Sequence, residues 1–221
     1  MSKVIKVFCV LGSLLALFGC ETADHYDYSE LIASKPRSIL VLPPLNHSVE
    51  VNAPYTFLST ITKPLAEKGY YVFPVAVIDA YMKENGLPTE LEMNQVPLEK
   101  LREQFGADSV LYVEIDSWGQ QYQVISSKAE VRARLKLVDA RSGKQLWSAT
   151  AYAAKDSGNN NGGLAGALIG ALITQVAGSL SDSTPGLSAS ANFNAVYNRA
   201  SGLLYGPYAP SGAEPFEPTA Q

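Results

Sequence analysis

Apolar and polar residues change their spacing several times along this chain, and each change predicts a different element. Ser38–Leu42 (SILVL) is a short apolar run closed by Pro43-Pro44, the pattern of a buried strand. Tyr55–Lys68 carries Leu58, Ile61 and Leu65 at helical spacing and stops at Gly69, with Pro64 expected to kink or split the helix. Tyr71–Val75 predicts a second strand. Val77–Asn85 gathers Val77, Ile78, Tyr81 and Met82 on one helical face and ends in Asn85-Gly86. Pro97–Phe105 places Leu98, Leu101 and Phe105 on one side before Gly106, and Ser109–Ile115 (SVLYVEI) predicts a third strand.

Beyond that point the period becomes two. Val131, Ala133, Leu135 and Leu137 alternate with Arg132, Arg134 and Lys136, a turn follows at Asp139–Lys144, and Gln145–Ala154 returns with Leu146 and Trp147. This is an antiparallel hairpin with one wet face. Repeated β–α steps followed by a meander give an α/β fold: a mixed sheet with helices packed on it, plus carboxy-terminal helices. Asp156–Gly163 (DSGNNNGG) predicts a loop. Ser188 caps a predicted last helix, Ala189–Tyr205, with Phe193, Val196, Tyr197, Ala200, Leu203 and Leu204 on one stripe. A single domain is therefore expected over 38–205. The remainder, 206–221, contains Pro207, Pro210, Pro215 and Pro218 and is expected to be a disordered tail.

The amino terminus has its own pattern. Lys3 and Lys6 precede the apolar stretch Val7–Phe18, which at about a dozen residues is too short to span a bilayer and suits a signal peptide over 1–19. Leu17-Phe18-Gly19-Cys20 resembles the bacterial lipobox, in which a small residue admits the peptidase and the cysteine thiol takes the lipid; Phe18 is bulkier than usual there. Lipidation at Cys20 is the expected modification, with acyl chains such as palmitate contributing about 0.8 kcal/mol per buried CH₂ to membrane anchoring. Cleavage would also remove Cys9, so the mature chain would have no disulfide. Glu21 follows the cysteine where an Asp would signal inner-membrane retention in lipoproteins, which implies the periplasmic face of the outer membrane. Residues 20–37 read as the lipidated cysteine and a tether, whose seventeen residues after Cys20 could extend about 55 Å, with Tyr26 and Tyr28 free to dock on the domain.

Composition narrows the chemistry. The 221 residues are 47% hydrophobic and 17% charged, enough apolar content for one folded core. A formal charge of -4 argues against binding a nucleic-acid backbone. The two histidines, His25 and His47, have no cysteine or carboxylate at ligand spacing, so no metal and no cofactor is expected. No Gly-x-Ser-x-Gly elbow is present, and the glycines Gly163, Gly166 and Gly170 are not followed by the Lys-Ser/Thr of a phosphate loop. Glu114 and Asp116, two apart on a strand, face one side. They form either an acid/base or cation site, or cross-strand partners of Arg132 or Arg134, and the second is the commoner outcome of such spacing. No catalytic residue is assigned, and the protein is expected not to be an enzyme.

The segment Leu164–Leu180 (LAGALIGALITQVAGSL) is the most unusual stretch. Gly166 and Gly170 make a small-xxx-small pattern that lets helices approach closely. Three roles compete: a helix buried on the sheet, a self-association face, and a membrane-inserted element. The first suits the Ala and Gly content best.

A lipobox followed by SILVLPP, then GADSVLYVEIDSW, then LKLVDARSGKQLWSA, resembles a family of small Gram-negative lipoproteins of unknown function. The pattern is related to the curli-secretion channel lipoprotein. It is also similar to the amino-terminal domain of the Tol-system propeller protein and to a penicillin-binding-protein activator lipoprotein. The similarity covers roughly Ser38–Ala154 and implies an anticodon-binding-like α/β sandwich used for protein–protein assembly. Gln120–Lys128 and Asp156–Gly163 are too short for the paired transmembrane hairpins of the curli channel. The expected function is a non-enzymatic accessory or assembly subunit of an envelope transport or secretion system, anchored to the membrane by lipid. Its partners would be envelope proteins and its own copies, as a dimer or higher oligomer, and not nucleic acid. An oligomeric outer-membrane secretion channel component and an activator of a peptidoglycan synthase are the alternatives.

Overall fold

A computed structural model describes residues 26–122, 127–156 and 184–218. In chain order the elements are α1 (Ser29–Ser34), β1 (Ser38–Val41), β2 (Leu45–Asn46), α2 (Ala53–Glu67), β3 (Tyr71–Val72), α3 (Val75–Glu84), α4 (Glu90–Asn94), α5 (Leu98–Phe105), β4 (Ser109–Tyr122), β5 (Ser127–Asp139), β6 (Gln145–Asp156) and α6 (Thr184–Val196). The strands form one mixed sheet in the order β3-β1-β4-β5-β6. β1 runs parallel to both β3 and β4, and β4, β5 and β6 form an antiparallel meander. Pro43-Pro44 has no N–H to give the ladder, so β1 ends there and β2 resumes parallel pairing with β4 at Leu45–Glu114. The fold class read from the sequence, a mixed sheet with helices packed on it, is the one observed.

Alternation along the strands sends side chains to two cores. On one face Ile39, Val41, Leu111, Val113, Ile115, Val131, Leu135, Leu137 and Trp147 pack against Phe57, Ile61 and Leu65 of α2 and Leu187, Ala191 and Ala195 of α6. The indole of Trp147 is fully buried and its Nε1–H donates to the Ser201 carbonyl at 2.8 Å. On the other face Leu40, Leu42 and Val110 meet Ile78, Met82, Met93 and Leu101 from α3, α4 and α5. This second layer covers β1 and the start of β4, while β5 and β6 continue past it.

Several expectations are corrected. The strand expected over Ser109–Ile115 runs on to Tyr122, because a bulge at Asp116 adds a residue and turns Trp118 back into the core, at 4% exposure. α2 is not split by Pro64, which falls near its last turn, where the missing N–H removes one bond without dividing the helix. The second strand stops at Val72, since Pro74 opens α3. α6 begins before Ser188 and ends at Val196. The Ser188 hydroxyl is within 2.7 Å of Thr60 Oγ1 on α2 rather than capping, and Phe193 is exposed. Asn198 ends that helical path by accepting from the N–H groups of Ala200 and Ser201.

The two chain ends also depart from expectation. Within the proposed tether, α1 buries Leu31 completely, and Tyr28 donates to the Gly202 carbonyl at 2.7 Å. The tail is held at two places, around Gly206–Tyr208 and at Phe216, with most of the residues between them exposed. Gly206 N–H bonds to the Lys68 carbonyl, Tyr208 N–H to the Gly69 carbonyl, and Phe216 is buried against Tyr70. Gly69 has φ +83°, and a Cβ there would lie 2.3 Å from the Ala209 nitrogen, so glycine is what lets the tail cross. The signal peptide, Cys20, His25 and Leu164–Leu180 with Gly166 and Gly170 lie outside the described residues.

Candidate functional site

The sheet presents its wet face along β4, β5 and β6. Here the alternation that buries Val131, Ala133 and Leu135 directs Arg132, Arg134 and Lys136 outward, with Arg134, Lys136 and Thr150 exposed. Register pairs Glu114 with Arg134, and the bulge at Asp116 swings a second carboxylate toward the same guanidinium. Arg134 Nη2 lies 2.7 Å from Glu114 and 2.8 Å from Asp116, and its Nε donates to Asp116 Oδ2 at 3.0 Å. That two-pronged grip holds the Asp116 carboxyl below the usual carboxylate range. His47 Nε2 stands 3.9 Å from the same Glu114 Oε2 that meets Arg134. Beside this group Arg132 lies 4.5 Å over the ring of Tyr152 and pairs with Glu130 at 3.3 Å.

Of the two roles open to Glu114 and Asp116, the geometry therefore gives cross-strand pairing with Arg134. Both carboxylates are spent on one cation, which leaves an ordered mosaic of charge on a sheet surface rather than an acid and a base poised over a cavity. Among the described residues, no group of three His, Cys, Asp or Glu side chains is placed to hold a metal ion.

A second feature was not visible in the sequence. A cavity of about 580 Å³ opens where α1, the end of α2, the 198–205 segment and the tail meet. Lys68, only 8% exposed, lines it, with Nζ 4.2 Å from the Tyr205 ring centre and 4.5 Å from that of Tyr197. Burial pushes this ammonium down to about 8. The residues that enclose it lie far along the chain, so no local spacing could have signalled it.

Residues 26–208 match the model of the family described as "Putative lipoprotein GNA1162-like". The chain is 43% identical over 201 residues to the Neisseria meningitidis serogroup B protein "Putative lipoprotein NMB1124/NMB1162", covering 89% of this chain and 93% of that one. The crystal structure of lipoprotein GNA1162 from Neisseria meningitidis superposes with a TM-score of 0.54 at 44% identity, over 65% of this chain and all of that one. A PelC dodecamer from Paraburkholderia phytofirmans gives a TM-score of 0.39 at 20% identity, over 57% and 76% of the two chains, a likeness too slight to argue from. No described helix is long and apolar enough to cross a membrane. With the match spanning most of the chain, and a lipoprotein relative aligned over nearly its whole length, the protein belongs to the GNA1162-like lipoprotein family.

Proposed function

We propose that the protein is an outer-membrane lipoprotein, held at the periplasmic face by lipid on Cys20, that serves as an accessory subunit of an envelope transport or secretion assembly. It works by protein–protein contact through the exposed face of β4, β5 and β6 and performs no chemistry of its own. The observation that carries this reading is the Arg134 group. It fixes two carboxylates and a guanidinium in register on an open sheet surface, an arrangement suited to recognising a complementary charged surface. Family membership and the lipobox support the anchor.

The test places a photo-crosslinking amino acid at Lys136 or Thr150 in full-length protein in cells. Capture of a defined envelope protein, lost when Arg134 is changed to Glu, is the expected result. The reading fails if neither position gives an adduct while the protein is folded and membrane-bound. Cys20→Ala should abolish lipid labelling and release the protein from the membrane fraction; retention of both would refute the anchor. Light scattering of the full-length protein in detergent separates an adaptor, as monomer or dimer, from a ring-forming channel component.

A further inference from the structure

The cavity around Lys68 is built like a ligand site. Lys68 is 8% exposed as a residue, yet among the described residues no carboxylate lies within 4 Å of its Nζ and no hydrogen-bond acceptor meets its ammonium. The two tyrosine rings are its close partners there, and a ring face compensates a desolvated ammonium only in part. Arg199, also lining the cavity, is exposed and has no ion-pair partner among the described residues. Two cations without an ion-pair partner among the described residues thus share one concavity of a size that suits a small organic molecule.

The remaining walls define what the ligand would be. Leu203 and Leu204 are buried, and Ile32 and Tyr28 add apolar surface. Asp27 and Glu217 also line the cavity and would repel a multiply charged anion. Those carboxylates disfavour phosphate, whose second negative charge they would repel more strongly than the single charge of a carboxylate.

We propose that this cavity binds an organic monocarboxylate bearing an apolar side chain, its carboxylate between Lys68 and Arg199 and its apolar body against Tyr28, Leu203 and Leu204. A free N-acylated amino acid and the carboxy-terminal residue of a peptide present the same chemistry. The lowered affinity of Lys68 for its proton fits a cation that lacks its counter-charge. The inference is independent of the adaptor reading, because it concerns a different face and needs no envelope partner.

The test is calorimetric titration of the full-length protein in a non-ionic detergent. The probes are N-acetyl-Leu-Phe, its carboxy-terminal amide, a ten-residue peptide ending in Leu-Phe, and inorganic phosphate. The acid should bind at least tenfold more tightly than the amide. Lys68→Met, with its melting transition intact, should remove that preference, and Arg199→Glu, at an exposed position, should weaken the acid several-fold. Binding by the ten-residue peptide assigns the site to a chain end, and its exclusion while N-acetyl-Leu-Phe binds assigns it to a free carboxylate. Equal affinity for acid and amide, unaltered binding by both variants, phosphate binding as tight as that of the acid, or no heat from either acid at millimolar concentration would overturn the proposal.

Discussion

The phenol of Tyr26 closes both backbone groups of Ser148: it accepts from the Ser148 N–H at 2.7 Å and lies 3.3 Å from the Ser148 carbonyl, to which it donates. Among the described strands β6 is the edge of the sheet, and the Ser148 groups point away from β5. One side chain from the amino-terminal segment thus stands in for a neighbouring strand at that point.

Tyr26→Phe keeps the ring against Tyr28 but removes both hydrogen bonds. The expected loss is about 1–2 kcal/mol in urea unfolding, with faster hydrogen exchange at the Ser148 amide. Unchanged exchange at that amide would show that the phenol does not protect the edge.

Asp139 organises the β5–β6 turn. Burial raises its proton affinity, but donors from Ser34 Oγ, the Ser142 N–H and hydroxyl, and the Arg141 N–H outweigh that and hold it below the usual carboxylate range. A carboxyl depressed in the folded state contributes stability above its unfolded value near 3.8, and that contribution is lost as pH falls through the folded value. Asp139→Asn should cost about 1–3 kcal/mol at neutral pH. The gap between the two proteins should narrow on acidification below pH 4. Parallel acid-denaturation curves would contradict this account.

Lys68 gives the opposite sign. Its folded-state value near 8 lies below the 10.5 of an open lysine, so the unfolded chain binds the extra proton between those values and stability rises with pH across that window. Below pH 8 the buried charge is a penalty. Lys68→Met should therefore be more stable than the parent at pH 7, by about 1–2 kcal/mol once the lost ring contacts are allowed for. That advantage should fade between pH 8 and 10 in thermal melts. A variant less stable at every pH would mean that the rings more than compensate the ammonium.

Phe216 tests the packed tail. It is 7% exposed and meets Tyr70 edge-on at 6.4 Å, while the Tyr70 hydroxyl donates to the Leu204 carbonyl. Phe216→Ala should cost about 3 kcal/mol and speed proteolytic cleavage after Tyr205. A tail cleaved at the parent rate would argue that Phe216 does not hold it.

The sequence was most informative where one period persisted. Val131 to Leu137 announced the meander, and Asp139–Gly143 announced its turn. It misled where the period broke for a structural reason. Asp116 looked like the end of a strand because a bulge inserts one residue and then restores the alternation, sending Trp118 inward. The short helix α4 went unread although its capping box, Thr89 with Glu92, was present in the chain. The tail looked disordered because four prolines dominate its composition, whereas one aromatic side chain and three backbone hydrogen bonds decide its position. The Glu114–Arg134–Asp116 group was half legible: spacing put both carboxylates on one face, but only register could choose which arginine they share. The Lys68 cavity was not legible, since Tyr28, Lys68 and Tyr205, far apart in the chain, line it together only in the folded structure.

Tyr26 and Pro218, near the two ends of the described chain, line the same cavity. The segments that lead into and out of the described domain therefore lie beside one cavity, and the order of elements is separable from the place of entry. A circular permutant that joins residue 218 to residue 26 through a short linker, and opens at Gly86 in an exposed turn, should build the same sheet. Such a chain would suspend an unaltered surface from a new point, so that the direction in which the domain faces its surroundings becomes a variable independent of its fold.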